Sequence, residues 1–307
     1  MTVAAPKMGL AEWVLLGLLS LVWGGSFFFA KIAVAEVPPL TLVACRVGLA
    51  AAALMIVLRA LGNAMPSDAR SWRNFAVMGL LNNAVPFTLL FWAQITIASG
   101  LAAILNATTP LFTALFAQAL TADERLTAGK GVGILLGIAG VAVMIGVDVL
   151  ENADGAVLAQ LACLGAACSY GLASIWGRRF AGTPPMVTAC GQLTASSILM
   201  IPIAFVLDRP WQLAAPSAGA VAALIALALV SSAFAYILYF RILKAAGATN
   251  VSLVTLLVPV SAILLGAVFL GERLSGEEIA GMALIALGLM AIDGRFFAWA
   301  RGRKVVP

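Results

Sequence analysis

The side chains best equipped to bind a small molecule are amides, hydroxyls and aromatic rings inside long apolar stretches. In one such stretch, Asn83, Phe87, Leu90 and Gln94 share a helical face, with Asn82 beside them. Polar groups in hydrocarbon are costly and usually face the interior of a helix bundle. Amides and hydroxyls bind a zwitterion or a hydroxyl group, and rings pack against apolar parts. The pattern predicts a neutral cavity lined by amides and rings.

The predicted cavity-lining set combines these amides with hydroxyl and aromatic residues of other apolar stretches. Its members are Trp23, Asn82, Asn83, Gln94, Asn106, Thr109, Tyr170, Ser232, Tyr236, Tyr239 and Ser252. A second interpretation is structural, because interhelical hydrogen bonds stabilise a membrane bundle by about 0.6 kcal/mol each. The structural interpretation is favoured for a single Ser or Thr. For the three asparagines, Trp23 and Tyr236, both interpretations stay open.

Arg46 and three prolines form a separate, structural set. Arg46 is the only charged residue well inside a predicted span, roughly 12 Å from the outer end of its helix. Its guanidinium either snorkels to the outer headgroups or takes a buried structural or carboxylate-binding role. Pro86, Pro110 and Pro259 each remove a backbone hydrogen bond and favour a kink, so they are predicted shape or hinge elements.

Several kinds of chemistry are missing from the sequence. It has no histidine, and its four cysteines lie in apolar runs without metal-type pairing, so no catalytic residue, metal site or cofactor is predicted. It also lacks a phosphate-binding loop. All 13 acidic residues lie at the ends of the long apolar stretches or in the links between them. Glu12, at the start of the first stretch, is the best placed of them to couple the movement of a solute to that of protons. These features favour a protein that is not an enzyme and that moves its substrate by facilitated transport or exchange.

The composition indicates that helices in a membrane position these residues. Of 307 residues, 63% are hydrophobic and 10% charged, and the mean hydropathy is +1.08, whereas a soluble domain has roughly 25% charged residues. A spanning helix needs about 20 apolar residues. The sequence therefore predicts an all-α polytopic bundle of ten spans, at 10–33, 38–58, 74–94, 100–120, 128–147, 155–177, 185–206, 217–240, 249–270 and 277–297.

The distribution of basic residues predicts the orientation of these spans. With the N-terminus inside, 14 of the 18 Lys and Arg residues fall on the cytoplasmic side and three on the outer side. Such a bias is typical of cytoplasmic loops. We therefore expect a multi-pass membrane protein with both termini in the cytoplasm, and we expect the acidic link 148–154 to lie outside.

The two halves of the sequence resemble each other at an offset of about 147 residues. Matching pairs include Trp23-Gly24 with Tyr170-Gly171, Ala44-Cys45 with Ala189-Cys190, Glu124-Arg125-Leu126 with Glu272-Arg273-Leu274, and Gly133 and Gly140 with Gly281 and Gly288. Each half, 1–150 and 151–307, holds five predicted helices. An odd number makes the repeats inverted, which is the structural basis of alternating access.

These features resemble the EamA-type branch of the drug/metabolite transporter superfamily. The resemblance rests on the ten spans, the five-plus-five repeat, and a proline followed by Glu-Arg-Leu and spaced glycines in both halves. It implies a secondary transporter of a bacterial inner membrane for small neutral metabolites, including aromatic and other amino acids. It also implies a central cavity lined mainly by helices 1, 3, 4, 6, 8 and 9. The alternatives are a carrier of nucleotide sugars or other metabolites or drugs, and a channel-like facilitator.

The expected partners are a small-molecule substrate and the lipid bilayer, with no nucleic acid. Glycines at four-residue spacing, Gly129, Gly133 and Gly137, permit close helix packing. Packing within the bundle is favoured over a dimer contact, and both a monomer and a dimer stay open.

Overall fold

The computed structural model describes residues 9–121, 127–146 and 155–293, and the regular structure in these ranges is helical. The principal helices are α1 (Leu10–Val34), α2 (Pro39–Ala60), α3 (Ala69–Thr96), α4 (Ser99–Leu120), α5 (Ala128–Ile145), α6 (Gly155–Phe180), α7 (Pro185–Leu207), α8 (Ala218–Ala246), α9 (Val254–Leu270) and α10 (Gly276–Asp293). Within these ranges, seven helices are long and apolar enough to cross a membrane, namely α1–α4 and α6–α8. Helices α5 and α9 are shorter and apolar.

Local sequence signals define several helix ends. Pro39 and Pro185 occupy the first turns of α2 and α7, where a missing backbone N–H costs nothing. The Asp68 carboxylate accepts a hydrogen bond from the Ser71 backbone N–H at the start of α3, at 2.8 Å. Hydrogen bonds to the Asp68 carboxylate from the backbone and side chain of Ser71 hold the pKa of Asp68 below its ordinary value. Polar caps and prolines thus separate helices whose interiors are almost wholly apolar.

The outward faces of the helices are apolar, as a lipid environment requires. Ile56, Leu135 and Val268 are each about 70% exposed. The interior contains two clusters of buried apolar side chains. One includes Leu16, Leu105 and Ile242, and the other includes Leu42, Phe75 and Leu193. A water-soluble protein rarely presents so much contiguous apolar surface.

Helices α5 and α10 pack closely through glycines. A Cβ added at Gly133 would meet the Gly288 carbonyl oxygen, and one added at Gly140 would meet that of Gly281. The glycine series of α5 therefore serves packing within the chain, as the sequence favoured. Gly129 approaches α10 in the same way, whereas Gly137 faces α4.

Two of the long helices contain π-helical segments. Residues Leu80–Ala84 of α3 and Ala226–Phe234 of α8 are π-helical. In α3 the segment lies just before Pro86, whose ring clashes with a regular α-helical turn. In α8 no proline follows, and the corresponding position is Ala233. A proline therefore does not account for both distortions.

The remaining differences from the predicted spans concern breaks and ends. Helix α4 is interrupted by a turn at 107–108, next to Pro110, whereas Pro259 lies inside the continuous helix α9. A short helical turn, Ala248–Val251, precedes α9, so this helix begins later than predicted. Helix α8 continues past residue 240 to Ala246 and α3 begins at Ala69, because a helix can extend beyond its hydrophobic stretch into polar surroundings.

Candidate functional site

Arg46 projects from α2 into the centre of the bundle and is only 6% exposed. Its Nε donates a hydrogen bond of 2.9 Å to the Ser232 hydroxyl of α8. Its guanidinium carbon lies 3.8 Å from the ring centroid of Phe87 and 5.7 Å from that of Phe91, both on α3. The buried position does not fit snorkelling to the headgroups, and the contacts are those of a cation–π site.

A hydrogen-bonded triad lies next to this arginine. The Asn82 amide of α3 donates to Gln192 Oε1 of α7 at 3.1 Å and to the Tyr236 hydroxyl of α8 at 3.3 Å. The Gln192 amide also donates to the Tyr236 hydroxyl, at 3.1 Å. The hydroxyls of Tyr236 and Tyr170 lie close enough to the Arg46 guanidinium to interact with it electrostatically. Five helices thus contribute polar groups to one place.

Aromatic rings extend this place towards α1. The rings of Tyr236 and Phe240 are stacked with centroids 5.9 Å apart, and Tyr239 meets Phe240 edge-on at 5.4 Å. Trp23 of α1 lies 5.7 Å from the Tyr239 ring. Tyr170 packs against both apolar clusters, so the polar and aromatic groups lie where the clusters meet. We call Trp23, Arg46, Asn82, Phe87, Tyr170, Gln192, Ser232, Tyr236, Tyr239 and Phe240 the central site.

Other predicted cavity residues lie outside the central site in this conformation. The Asn83 amide donates to the Ser196 hydroxyl of α7 at 3.1 Å, and its side chain is fully buried. The Gln94 amide donates to the Phe27 carbonyl at 2.7 Å. The Thr109 hydroxyl donates within its own helix, to the Asn106 carbonyl. Their roles in substrate contact stay predictions, as does that of Ser252, which lies exposed before α9.

Buried amide oxygens without a hydrogen-bond partner occur in the described residues. They include Oδ1 of Asn83, Oε1 of Gln94 and Oδ1 of Asn106. An unpaired buried acceptor costs about 1–3 kcal/mol. Throughout residues 9–121, 127–146 and 155–293, no cluster of three or more Cys, Asp and Glu side chains is placed to hold a metal ion.

One end of the bundle is held together by contacts between sequence-distant links. The Glu36 carboxylate accepts hydrogen bonds of 2.6 Å from both the backbone N–H and the hydroxyl of Ser217. Asp208 accepts from the backbone N–H and hydroxyl of Thr41, at 2.7 and 2.8 Å. We call these two contacts, together with that between Ser99 and Glu272, the interhalf seam. By the distribution of basic residues, its end of the bundle is predicted to face outside.

The third seam contact caps a helix. The Glu272 carboxylate accepts hydrogen bonds from the Ser99 backbone N–H, at 2.9 and 3.0 Å, and from the Ser99 hydroxyl at 2.6 Å. It therefore caps the N-terminus of α4, where backbone donors lack partners. Lys31 of α1 donates to the carbonyls of Gln94 and Ile97 and lies near enough to Glu272 to attract it. The repeat mate Glu124-Arg125-Leu126 lies outside the described residues.

The opposite end of the bundle contains a cavity of about 400 Å³. Polar and basic residues at the start of α3 and after α6 line it, namely Arg70, Ser71, Arg73, Asn74, Arg179 and Thr183. The stacked rings of Phe75 and Phe180 contribute the apolar part of its wall. Arg70 and Thr183 occupy the repeat-related positions of Ser217 and Glu36. The two ends of the bundle are therefore not equivalent in this conformation.

Sequence reasoning missed Gln192 and Phe240 of the central site. Gln192 is an amide inside a predicted span, so the criterion that selected Asn82 applies to it equally. Phe240 is apolar, and nothing in its type distinguishes it from the other phenylalanines of the chain. The signal for Gln192 was present, whereas that for Phe240 was not.

Comparison with known proteins identifies the family. Residues 11–146 and 157–292 each match the EamA-like transporter family. The chain belongs to this family. Two successive matches also show that the family unit occurs twice along the chain, which agrees with the sequence repeat.

Several relatives cover most of the chain. The uncharacterized inner membrane transporter YedA of Escherichia coli K12 is 30% identical over 253 residues, which is 81% of this chain and 79% of YedA. The uncharacterized transporter YoaV of Bacillus subtilis is 24% identical over 260 residues, 82% of this chain and 87% of YoaV. Protein PecM of Dickeya dadantii is 29% identical over 80% of each chain. The family and these names indicate a membrane transporter.

A solved structure supports the fold. A crystal structure of another protein superposes on this chain with a TM-score of 0.65 at 23% identity, covering 92% of this chain and 97% of that one. A likeness at this level of identity concerns the fold alone.

Proposed function

We propose that this chain is a secondary transporter of small neutral metabolites that works by alternating access. Amino acids, aromatic ones included, are its leading cargo class. In this proposal the resemblance to the EamA-type branch extends to its aromatic amino-acid exporters, such as YddG, and that extension motivates the choice of cargo, as do the rings and amides of the central site. In this proposal ten spans form two inverted repeats, 1–150 and 151–307, with both termini in the cytoplasm of a bacterium.

Contacts that recur between repeat-related positions support an inverted arrangement. Gly24 of α1 lies against Ser261 of α9, and its mate Gly171 of α6 lies against Phe112 of α4, whose repeat-related position falls within two residues of Ser261. The glycine pairs of α5 and α10 also exchange with one another under the repeat. The π-helical segments of α3 and α8 begin about 147 residues apart. Two copies related by a pseudo-two-fold axis would produce all three correspondences.

The observation that carries the proposal is the difference between the two ends of the bundle. The interhalf seam ties links from both parts of the chain at one end, while a 400 Å³ cavity opens at the other. A substrate carrier needs two such states of opposite polarity. This conformation has the features of one of them, with its cavity on the predicted cytoplasmic side.

The direct test is flux of labelled neutral and aromatic amino acids through purified protein in liposomes. We expect saturable flux that shows counterflow, because a carrier reorients with its cargo. Loss of counterflow together with continuous single-channel conductance would identify a channel instead. Saturable flux of none of the labelled compounds would contradict the proposed cargo class.

A paired substitution tests the central site within the same assay. Tyr236→Phe removes the hydroxyl shared by Asn82 and Gln192 and keeps the ring, so we expect flux to fall about tenfold with unchanged insertion into the membrane. Tyr236→Ala removes the ring as well and should impair flux further. Asn83→Ala tests a predicted cavity residue that the structure places outside the central site. Wild-type flux in Tyr236→Phe would assign that hydroxyl to packing alone.

A further inference from the structure

The charge of Arg46 has no counter-charge among the described residues. Its guanidinium makes one hydrogen bond, from Nε to the Ser232 hydroxyl, which leaves its four terminal N–H donors without a hydrogen-bond partner there. No carboxylate of the described chain lies within ion-pairing distance of it. The rings of Phe87 and Phe91 supply a cation–π contact, which offsets only part of the cost of desolvating the cation. A buried guanidinium needs more than this.

The sequence offers no internal acid to supply the missing charge. All 13 acidic residues lie at span ends or in links. Glu36, Asp208 and Glu272 are already engaged in the interhalf seam. The site therefore holds a net positive charge beside the hydroxyls of Tyr170 and Tyr236 and the amides of Asn82 and Gln192. Intramembrane charges without a protein partner mark binding sites for ions or substrates.

We infer that Arg46 binds a carboxylate of the transported substrate, so that the cargo is a small monocarboxylate with an apolar or aromatic body. The inference rests on the proposed transport function and changes its cargo from net-neutral metabolites in general to compounds that carry a carboxylate, whether amino acids or simple monocarboxylates. Two parallel N–H donors of a guanidinium match the two acceptor oxygens of a carboxylate. A hydroxyl or an amide has only one oxygen and cannot accept both hydrogen bonds in this way. The Tyr236 hydroxyl interacts with Arg46, and a run of rings leads away from Tyr236 through Phe240 and Tyr239 to Trp23. In this inference the body of the cargo packs against these rings.

Charge balance extends the inference to the rest of the cargo. One carboxylate on Arg46 makes the complex neutral, and neutrality lowers the cost of holding it in the bundle. The described part of the site contains no acid to pair with a substrate ammonium. A carboxylate is therefore required for recognition and an α-ammonium is not. A deaminated aromatic acid should bind at least as well as the corresponding amino acid.

The experiment uses four probes that share a phenyl group. 3-Phenylpropionate and phenylalanine carry the carboxylate, 3-phenylpropanamide is its neutral isostere, and phenethylamine carries only the ammonium. Thermal stabilisation of the purified full chain at increasing probe concentration gives the half-saturating concentration. The pair 4-methylpentanoate and 4-methylpentanamide repeats the comparison on an aliphatic body. Flux of the same probes is measured in liposomes.

We expect both phenyl carboxylates to stabilise the wild-type protein and the amide and the amine to have little effect. In Arg46→Gln the half-saturating concentration of 3-phenylpropionate should rise about 30-fold or more, as for truncation of one partner of a buried charge pair. Arg241→Gln is the matched control, because it removes an exposed guanidinium from the end of α8. It should leave the response unchanged.

Two further variants keep the inference testable if Arg46→Gln fails to fold. Arg46→Lys retains the charge but loses the planar fork, so preference for the carboxylate should persist with weaker binding. Ser232→Ala removes the hydroxyl that orients Nε and should weaken binding of 3-phenylpropionate several-fold. Unchanged binding of 3-phenylpropionate in both Ser232→Ala and Arg46→Lys would contradict the inference.

Failure of the inference and failure of the transport proposal give different results. Equal responses to carboxylate and amide, carboxylate binding that survives in Arg46→Gln, or no response to any carboxylate would each overturn the inference. Saturable flux of the amide at wild-type rates in Arg46→Gln would leave transport intact and remove only the carboxylate requirement. Arg46-dependent carboxylate binding without any flux would support the inference and contradict transport.

Discussion

Two basic groups inside the bundle are treated differently by their surroundings. Lys31 lies at the interhalf seam, where its ammonium donates to two backbone carbonyls, at 2.7 and 2.9 Å, and lies near Glu272. Arg46 lies in the central site, where it meets one hydroxyl and two rings. Groups of the protein satisfy the first charge, whereas the second is left for something else to neutralise. The seam contacts therefore stabilise the fold, whereas the charge of Arg46 is the one that we propose binds the cargo.

The largest expected effect comes from giving Arg46 an internal partner. Ser232→Asp places a carboxylate where the hydroxyl now accepts from Nε, so it should compete with the cargo carboxylate. We expect flux of 3-phenylpropionate to fall about 30-fold or more, while thermal stability is retained or raised. Ser231→Asp is the matched control, because Ser231 instead donates to the Val22 carbonyl of α1. That variant buries an acid away from Arg46 and should destabilise the protein.

Removing the acid of the seam should have the next largest effect. Glu272→Ala leaves the Ser99 N–H and hydroxyl unsatisfied and removes the charge beside Lys31. Each lost partner of a buried donor costs about 1–3 kcal/mol, so the apparent melting temperature should fall by several degrees. Glu278→Ala, which removes an exposed contact with the Ser275 N–H, should have a much smaller effect. Equal shifts in the two variants would argue against a special role for the seam.

Removing the cation of the seam tests the other side of the same contact. Lys31→Met preserves the length and apolar stem of the side chain but leaves two carbonyls without their donor. The expected loss is about 1 kcal/mol, since carbonyls tolerate a missing donor better than buried N–H groups do. The difference in melting temperature between Lys31→Met and the wild type measures this loss, and Lys244→Met, which changes an exposed lysine, is the control. Flux of a carboxylate probe at saturation should change little, in contrast to Arg46→Gln.

The smallest effect concerns the exposed part of the seam and its pH dependence. Hydrogen bonds from the Ser217 hydroxyl and N–H hold the pKa of Glu36 below its ordinary value of 4.5. A lowered pKa in the folded state means that the contact stabilises the protein above about pH 4.5 and is lost as pH falls through the lowered value. Glu36→Gln should thus melt slightly below the wild type at pH 7, and this difference should vanish at low pH. Ser217→Ala should mimic it, and a gap that persisted unchanged at pH 3 would contradict the assignment.

The sequence predicted the helices better than their ends. Hydropathy identifies the interior of each span because lipid and core both demand apolar residues. It stops at the first charges, whereas backbone hydrogen bonding continues, so α8 reaches Ala246 past Arg241 and Lys244. The breaks at 107–108 and before α9 depend on packing between helices and leave little trace in composition.

The central site was predicted in part, and the grouping of α3 residues by helical face was the weak point of the prediction. Rarity of polar groups in the spans pointed to Arg46, Asn82 and Tyr236, which the structure brings together. Grouping by a 3.6-residue period placed Asn83 and Gln94 on one face, yet they bind different helices. The period assumes an α-helix, and the π-helical segment Leu80–Ala84 changes the phase between residues on either side of it.

The π-helical segments have a mechanical consequence for α3 and α8. Each segment has wider turns than an α-helix, because its backbone hydrogen bonds join residues five apart instead of four apart. The extra residue is accommodated without interrupting the series of backbone hydrogen bonds. When the wide turn shifts along a helix by one residue, one backbone carbonyl accepts from a different N–H group. The side chain at that position then turns by about 100° around the helix axis. Asn82 and Ser232 lie within these two segments. The orientation of these two side chains therefore depends on the position of the wide turn in each helix, and a small shift of the flanking helical residues along the axis would reorient both side chains.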